Sequence, residues 1–143
     1  MKYVILVSHG QLASGLANAL GMLAGDRKDL IACQLEDGKS ADQFAKEFGQ
    51  AIESVTDQDE ILMLGDILGG SPLTTAANVI AQKGLAANTR AIGGMNLPLA
   101  LTALLMKDAM DLDSLKESIL MEAKDAMKEF VFAAVDEDDE EDV

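Results

Sequence analysis

The sequence predicts an α/β domain with an open, mostly parallel sheet and helices on both faces. Three observations carry that prediction. Short apolar runs alternate along the chain with longer stretches of helical periodicity, the pattern of repeated βαβ units. The first run, residues 2–7, is rich in β-branched residues and does not alternate with polar ones, as in a strand covered on both faces. The chain has 143 residues, 49% of them hydrophobic, enough for one domain with a sizeable core. Aromatic residues are only 3% and Trp is absent, so aliphatic side chains and Met must build that core.

The elements follow in order. After the first strand, Leu12, Leu16, Leu20 and Leu23 recur at helical spacing. Residues 30–35 form a second short apolar run. Ser40 with Gln43 three residues on predicts a capping box at the next helix start, and Phe44, Phe48, Ile52 and Val55 form that helix's apolar stripe. Residues 60–65 (EILMLG) are a third strand. In the GGSP that follows, Ser71 is predicted as N-cap and Pro72 as first helical residue, where a missing N–H costs nothing. Leu73, Ala76, Ala77 and Ile80 carry the buried face, and Gly84 is the stop signal. Residues 89–92 are a fourth strand, and GGMNLP leads into a helix at 97–106. Leu112, Leu115, Ile119, Ala123, Ala126 and Phe130 predict a long last helix. FVFAAV, residues 130–135, reads as one more strand at a sheet edge. Unpaired, an edge this apolar invites aggregation, and exchange between the subunits of a dimer would pair it.

Composition excludes several classes. Half of the formal charge of −14 comes from DEDDEEDV, residues 136–143, expected to be a disordered acidic tail on a domain of residues 1–135. Even without the tail the chain is acidic, against nucleic-acid binding, which needs clustered Lys and Arg. No apolar stretch reaches the roughly 20 residues of a membrane span. The apolar start is too short for a signal peptide and is read as a strand of the mature fold. Cys33 is the one cysteine, so no intrachain disulfide forms, which fits a reducing cytoplasm. One His and one Cys far apart in sequence hold no metal, and no cofactor motif is present: both GxxxxGK[ST] and a GxGxxG after a strand are missing.

The single histidine, His9, follows the first strand. In a parallel sheet three predicted loops share one edge: Ser8-His9-Gly10, Asp66 to Ser71, and Gly93 to Asn96. His9 and Asp66 become neighbours there. A carboxylate bonded to one imidazole N–H fixes the tautomer and leaves the other nitrogen with its lone pair as a nucleophile. Gly69 and Gly70 permit close backbone approach to a ligand, and the helix at Ser71 offers unpaired N–H groups and the positive end of its dipole. The helix after Gly10 would flank His9 in the same way. Such a site suits a phosphoryl group on His9. Singly, each feature has a plainer reading: Asp66 as a turn cap, His9 as a structural imidazole, GGSP as an ordinary helix start. A Ser71–His9–Asp66 hydrolase is the alternative of another class, although GGSPL lacks the second glycine of GxSxG and Pro72 has no N–H for an oxyanion hole. A small module that binds an anion without turnover is the third reading.

The strand followed by SHG, D-x-x-GGSP after the third strand, and G-x-N-x-P after the fourth together resemble the IIA component of the mannose family of the bacterial phosphoenolpyruvate-dependent sugar phosphotransferase system. The resemblance covers about residues 1–135. It implies that His9 accepts a phosphoryl group from the phosphocarrier protein HPr. His9 would then pass the group to a separate IIB domain or subunit that serves a membrane IIC/IID pair. Asp66 would orient His9, Gly69, Gly70 and Ser71 would hold the phosphoryl oxygens, and Gly10, Leu68 and Asn96 would shape the rim. Family members often carry a bulky aromatic where this chain has Leu68, a departure that bears on partner contacts rather than on the chemistry. The resemblance also implies a cytoplasmic homodimer whose last strand is antiparallel and exchanged, giving FVFAAV a role. A related branch serves dihydroxyacetone kinase and tends to carry a GS-A segment where this chain has GGSP.

Overall fold

The computed structural model describes residues 1–133. The elements run β1 (Lys2–His9), α1 (Leu12–Ala24), β2 (Leu30–Leu35), α2 (Ala41–Ala51), β3 (Glu60–Gly65), α3 (Ser71–Gln82), β4 (Thr89–Ile92), α4 (Leu97–Met106) and α5 (Leu112–Ala126). Short 3₁₀ turns precede β4 and follow α4. The four strands form one sheet in the order β2-β1-β3-β4, every pair parallel. The chain leaves β1 first toward β2, then returns to the other side of β1 with β3. That reversal puts a topological switch point between β1 and β3, where an open α/β sheet leaves a crevice at its carboxyl edge.

Period-two alternation on β1 divides the core. Val4 and Leu6 face α1, α4 and α5, while Ile5 and Val7 face α2 and α3. Phe44 and Phe48 on α2 are fully buried and stack with centroids 6.1 Å apart, so two of the few aromatic rings anchor one layer. The other layer holds no aromatic ring and is built from Leu, Ile, Val, Ala and Met.

Away from the crevice, the connections after α1 and after α4 are tied together by charge. Lys107, just beyond α4, is buried with its ammonium 2.7 Å from Asp29 and 3.0 Å from Asp108. Arg27 holds Asp29 through two bonds of 3.0 Å, and the Asp29 carbonyl accepts the Val4 N–H. The Arg27 hydrogen bond, opposed by burial and reinforced by Lys107, holds the Asp29 carboxyl well below the usual range.

Several expectations need correction. On α1 the buried positions are Ala13, Leu16 and Leu20, while Leu12 and Leu23 are exposed. The helix rolls so that small Ala13 meets the sheet. Ala77 is likewise exposed, and Val79 is buried in its place. The capping box at Ser40 is half made. Its Oγ accepts the Gln43 N–H at 3.0 Å, but the Gln43 amide turns to Glu47 instead of returning to Ser40. Ser71 is not an N-cap: Gly70 holds that position with φ −82° and ψ 160°, and Ser71 is the first residue of α3. The last helix stops at Ala126, four residues short of the expected Phe130. Residues 127–133 lie in no helix or strand; Phe130 and Phe132 are exposed and meet edge to face at 5.6 Å. An edge strand needs a neighbour to bond to, and residues 130–133 find none in a single chain. The rest of that expected strand and the acidic tail lie outside the described residues.

Candidate functional site

β1 delivers His9 to the carboxyl edge of the sheet, and β3 delivers Asp66 one residue past its end. Because Val7 and Gly65 are paired in the ladder, the two residues meet. His9 Nδ1 lies 2.8 Å from Asp66 Oδ2, and the same oxygen accepts the His9 backbone N–H at 2.9 Å. Asp66 Oδ1 accepts the Ile67 N–H at 2.8 Å. One carboxylate thus serves three donors. Burial alone would push the Asp66 carboxyl up; the hydrogen bonds from His9 and Ile67 outweigh it and hold it below the ordinary carboxylate value. An ionised acceptor at Nδ1 leaves Nε2 as the nitrogen available for chemistry. The Asp66 side chain is 9% exposed and the imidazole 47%, so the orienting group is sheltered and the ring opens to solvent.

The loop after β3 presses against this ring. A Cβ on Gly70 would lie 2.9 Å from His9 Cε1, so the imidazole packs on a position that only glycine can occupy without a shift. At the start of α3, Pro72 has no N–H and the Thr74 N–H bonds the Gly70 carbonyl, leaving the N–H groups of Ser71 and Leu73 as first-turn donors. The loop after β4 braces the assembly. Gly93 fits against Leu68 so tightly that a Cβ would come within 2.6 Å of the Leu68 Cα. Gly94, at φ +79°, donates to the Asp66 carbonyl at 3.2 Å, and the Met95 N–H donates to the Gly65 carbonyl at 2.9 Å. Here the third loop supports the carboxylate's backbone and does not reach the imidazole.

Among the sequence-predicted residues, His9, Asp66 and Gly70 come together. Gly10 turns the chain away from His9 at φ +57° while its N–H bonds the Leu35 carbonyl at 2.9 Å. Gly69 and Ser71 are exposed at the start of α3, and Leu68 stands 74% exposed at the loop tip. Asn96 caps α4, its Oδ1 accepting the Leu99 N–H at 2.9 Å, so its amide oxygen is spent inside that helix start. Among the described residues the ring's one hydrogen-bonded side chain is Asp66, and Ser71 makes no bond to it. The expected second helix terminus is largely consumed: Ser8 Oγ takes the Ala13 N–H at 2.7 Å and Gln34 Oε1 takes the Ser14 N–H at 3.1 Å. Sequence reasoning gave Ser8 no role; its one signal is a small hydroxyl inside an apolar strand. It also passed over Lys39, which the turn after β2 places in an open depression beside His9. No group of three or more metal-ligating side chains occurs among the described residues.

The site is an imidazole held by a carboxylate at the switch point of a parallel sheet, with a glycine-started helix against it. The comparisons state which class of protein this is. The family model described as the fructose IIA component of the PTS system matches residues 3–120, and the chain belongs to that family. The fructose-specific EIIA component of Bacillus subtilis is 29% identical over 119 residues, covering 83% of this chain and 80% of the relative. The sorbose-specific EIIA component of Klebsiella pneumoniae is 29% identical over 101 residues, 71% of each chain. In the mannose-specific EIIAB component of Escherichia coli, 23% identical over 105 residues, the match spans 32% of the relative's length. The fold is that of the phosphotransferase system component EIIA from Streptococcus agalactiae, with a TM-score of 0.79 at 21% identity over 90% of this chain and 97% of the other. The mannose/sorbose-specific IIA subunit from Enterococcus faecalis also superposes with a TM-score of 0.79, at 19% identity over 95% of this chain and all of the other. This is a phosphotransferase component of the sugar phosphotransferase system, of the mannose, fructose and sorbose class. No helix among the described residues is long and apolar enough to cross a membrane.

Proposed function

We propose that His9 carries the phosphoryl group on Nε2. It accepts the group from phosphorylated HPr and passes it to a IIB domain or subunit, which serves a membrane IIC/IID pair during sugar uptake. The observation that carries this reading is the 2.8 Å contact between His9 Nδ1 and Asp66 Oδ2, which commits one nitrogen and leaves the other open. In the transfer a P–N bond forms at Nε2 as the donor's own bond to phosphorus breaks, and the Nδ1 proton stays on Asp66's side of the ring. Little covalent work falls to the protein beyond positioning and charge. The carboxylate stabilises the positive charge that builds on the ring as Nε2 attacks. The first-turn N–H groups of Ser71 and Leu73, with Gly69 and Gly70 allowing close approach, face the transferring oxygens in this reading.

The working unit in this proposal is a cytoplasmic homodimer of residues 1–135 with residues 136–143 as an acidic tail. The exposed Phe130-Val131-Phe132 segment supports an exchanged edge strand, because an apolar segment this open finds cover against a second copy. The test is phosphorylation with phosphoenolpyruvate, enzyme I and HPr, read by intact mass. One acid-labile phosphoryl per chain that disappears in His9→Ala supports the reading. No added mass with active donors overturns it and turns attention to acyl chemistry at Ser71.

A further inference from the structure

The turn between β2 and α2 carries a cation that the site so far leaves unused. Residues 36–39 form a turn closed by the Lys39 N–H on the Glu36 carbonyl at 3.0 Å, with Gly38 at φ +86°. A positive φ at the third residue is what a type II turn requires, and glycine supplies it. The turn is anchored beside the imidazole, since His9 pairs with Leu35 in the ladder and the Gly10 N–H bonds the Leu35 carbonyl. One open depression results, with His9 and Gly10 on one side and residues 35–39 on the other. Lys39 is the one cation among the residues lining it, and Glu36 and Asp37 are its anions.

A phosphoryl group on His9 would add about two negative charges and three acceptor oxygens at this spot. The neighbourhood already holds Asp66, Glu36 and Asp37, in a chain of formal charge −14. Lys39 lines the same depression as His9, and in the unmodified protein its ammonium is held elsewhere. Its ammonium lies 2.6 Å from Glu47 Oε1 and 3.5 Å from the Gln34 carbonyl. Glu47 does not depend on it, because Oε2 accepts the Gln43 amide at 2.8 Å and the carboxylate is 42% exposed. Withdrawal of Lys39 therefore strands no buried charge. An ammonium on a four-carbon stem has three donors and can exchange one anion for another.

We infer that Lys39 is a phosphoryl-binding residue, parked on Glu47 while His9 is free and moving to the phosphoryl oxygens when His9 is modified. The inference rests on the proposed role of His9. Parking has a use of its own, since a cation already neutralised attracts less free phosphate to an empty site. Glu47 then tunes how readily the phosphorylated form is reached.

The test compares the parent with Lys39→Gln, Lys39→Arg and Glu47→Gln. Each is equilibrated with HPr at a fixed ratio of phosphorylated to free HPr, and the phosphorylated fraction is read by intact mass. The second ionisation of the bound phosphoryl group is followed by ³¹P NMR. Loss of one charge-assisted hydrogen bond shifts the equilibrium against the phosphorylated form by about tenfold in Lys39→Gln. Its phosphoryl group also holds its last proton to higher pH. Glu47→Gln moves both readouts the opposite way, and Lys39→Arg restores most of each. Phosphorylated variants whose equilibrium and ionisation match the parent would overturn the inference and leave the role of His9 standing. A parent that takes no phosphoryl group would overturn both.

Discussion

Gly70→Ala isolates the orientation of the imidazole from the rest of the fold. At φ −82° and ψ 160° the backbone accepts alanine without strain. Replacing Gly by Ala at an N-cap costs α3 only about 1 kcal/mol or less, so the variant should fold. The added Cβ lies 2.9 Å from His9 Cε1, inside any tolerable contact. Only the ring can give way, since Gly70 is fixed by its N–H on the Ile67 carbonyl and by its own carbonyl on Thr74. Relief of about 0.5 Å or more at Cε1 swings the imidazole about Cβ and stretches or breaks the 2.8 Å bond to Asp66. Misplacing a reacting atom by about 1 Å costs on the order of 10²-fold in rate. The assay is the initial rate of phosphoryl incorporation from phosphorylated HPr, beside thermal unfolding and the ¹⁵N shifts of the His9 ring. The account predicts near-parent stability, a rate down about 10²-fold, and loss of the fixed tautomer. A parent rate with a parent tautomer would refute the claim that Gly70 seats the ring.

Asp66→Asn should slow transfer by about 10²-fold or more, measured by the same incorporation assay, and it should also cost roughly 1–2 kcal/mol of stability. One amide oxygen cannot replace two carboxylate oxygens that accept from the His9 and Ile67 N–H groups as well as the ring. Lys107→Ala should cost about 2 kcal/mol in chemical denaturation, because it removes a buried, charge-assisted bond to Asp29 while Arg27 still holds that carboxylate, and the phosphorylation rate stays at the parent value. Asp29 also sets an acid limb. Its folded pKa is depressed, so its contribution is fully present above the unfolded carboxylate value of about 3.9 and is lost as pH falls toward the lower folded value. Asp29→Asn should flatten that part of the stability–pH curve. Burial pushes the Cys33 thiol up to about 11, so iodoacetamide should label the native protein about 10²-fold more slowly than a free thiol at neutral pH.

How much of this was legible depends on how local the cause is. β2, β3, β4 and α4 have the predicted bounds, because each is a short apolar run closed by Gly, Asn or charged residues. His9 and Asp66 could be paired before any coordinates, since parallel topology alone brings strand tips to one edge. What escaped prediction was set by partners distant in sequence. The roll of α1 follows from the bonds Ser8 and Gln34 make to its first turn, and neither residue belongs to that helix. Buried Lys107 reads as a surface residue until Asp29 and Asp108 are seen around it. Ser71 yields the cap position to Gly70, where the neighbouring imidazole leaves no room for a side chain. Asn96 was assigned to the rim only through the family resemblance of its G-x-N-x-P segment, and what its sequence could not show is that its amide oxygen caps its own helix. Lys39 was passed over because a lone lysine in EDGKS carries no signal until the turn is closed.

The central claim is that the 2.8 Å bond from His9 Nδ1 to Asp66 reserves Nε2 for phosphorus. The most direct measurement is ³¹P–¹⁵N correlated NMR of the phosphorylated protein with labelled histidine, which identifies the nitrogen bonded to phosphorus. Since His9 is the one histidine, the spectrum needs no assignment. The account predicts coupling to Nε2 with Nδ1 still protonated and hydrogen-bonded. Phosphorus on Nδ1, or a phosphorylated protein with no coupling to the His9 ring, would contradict it.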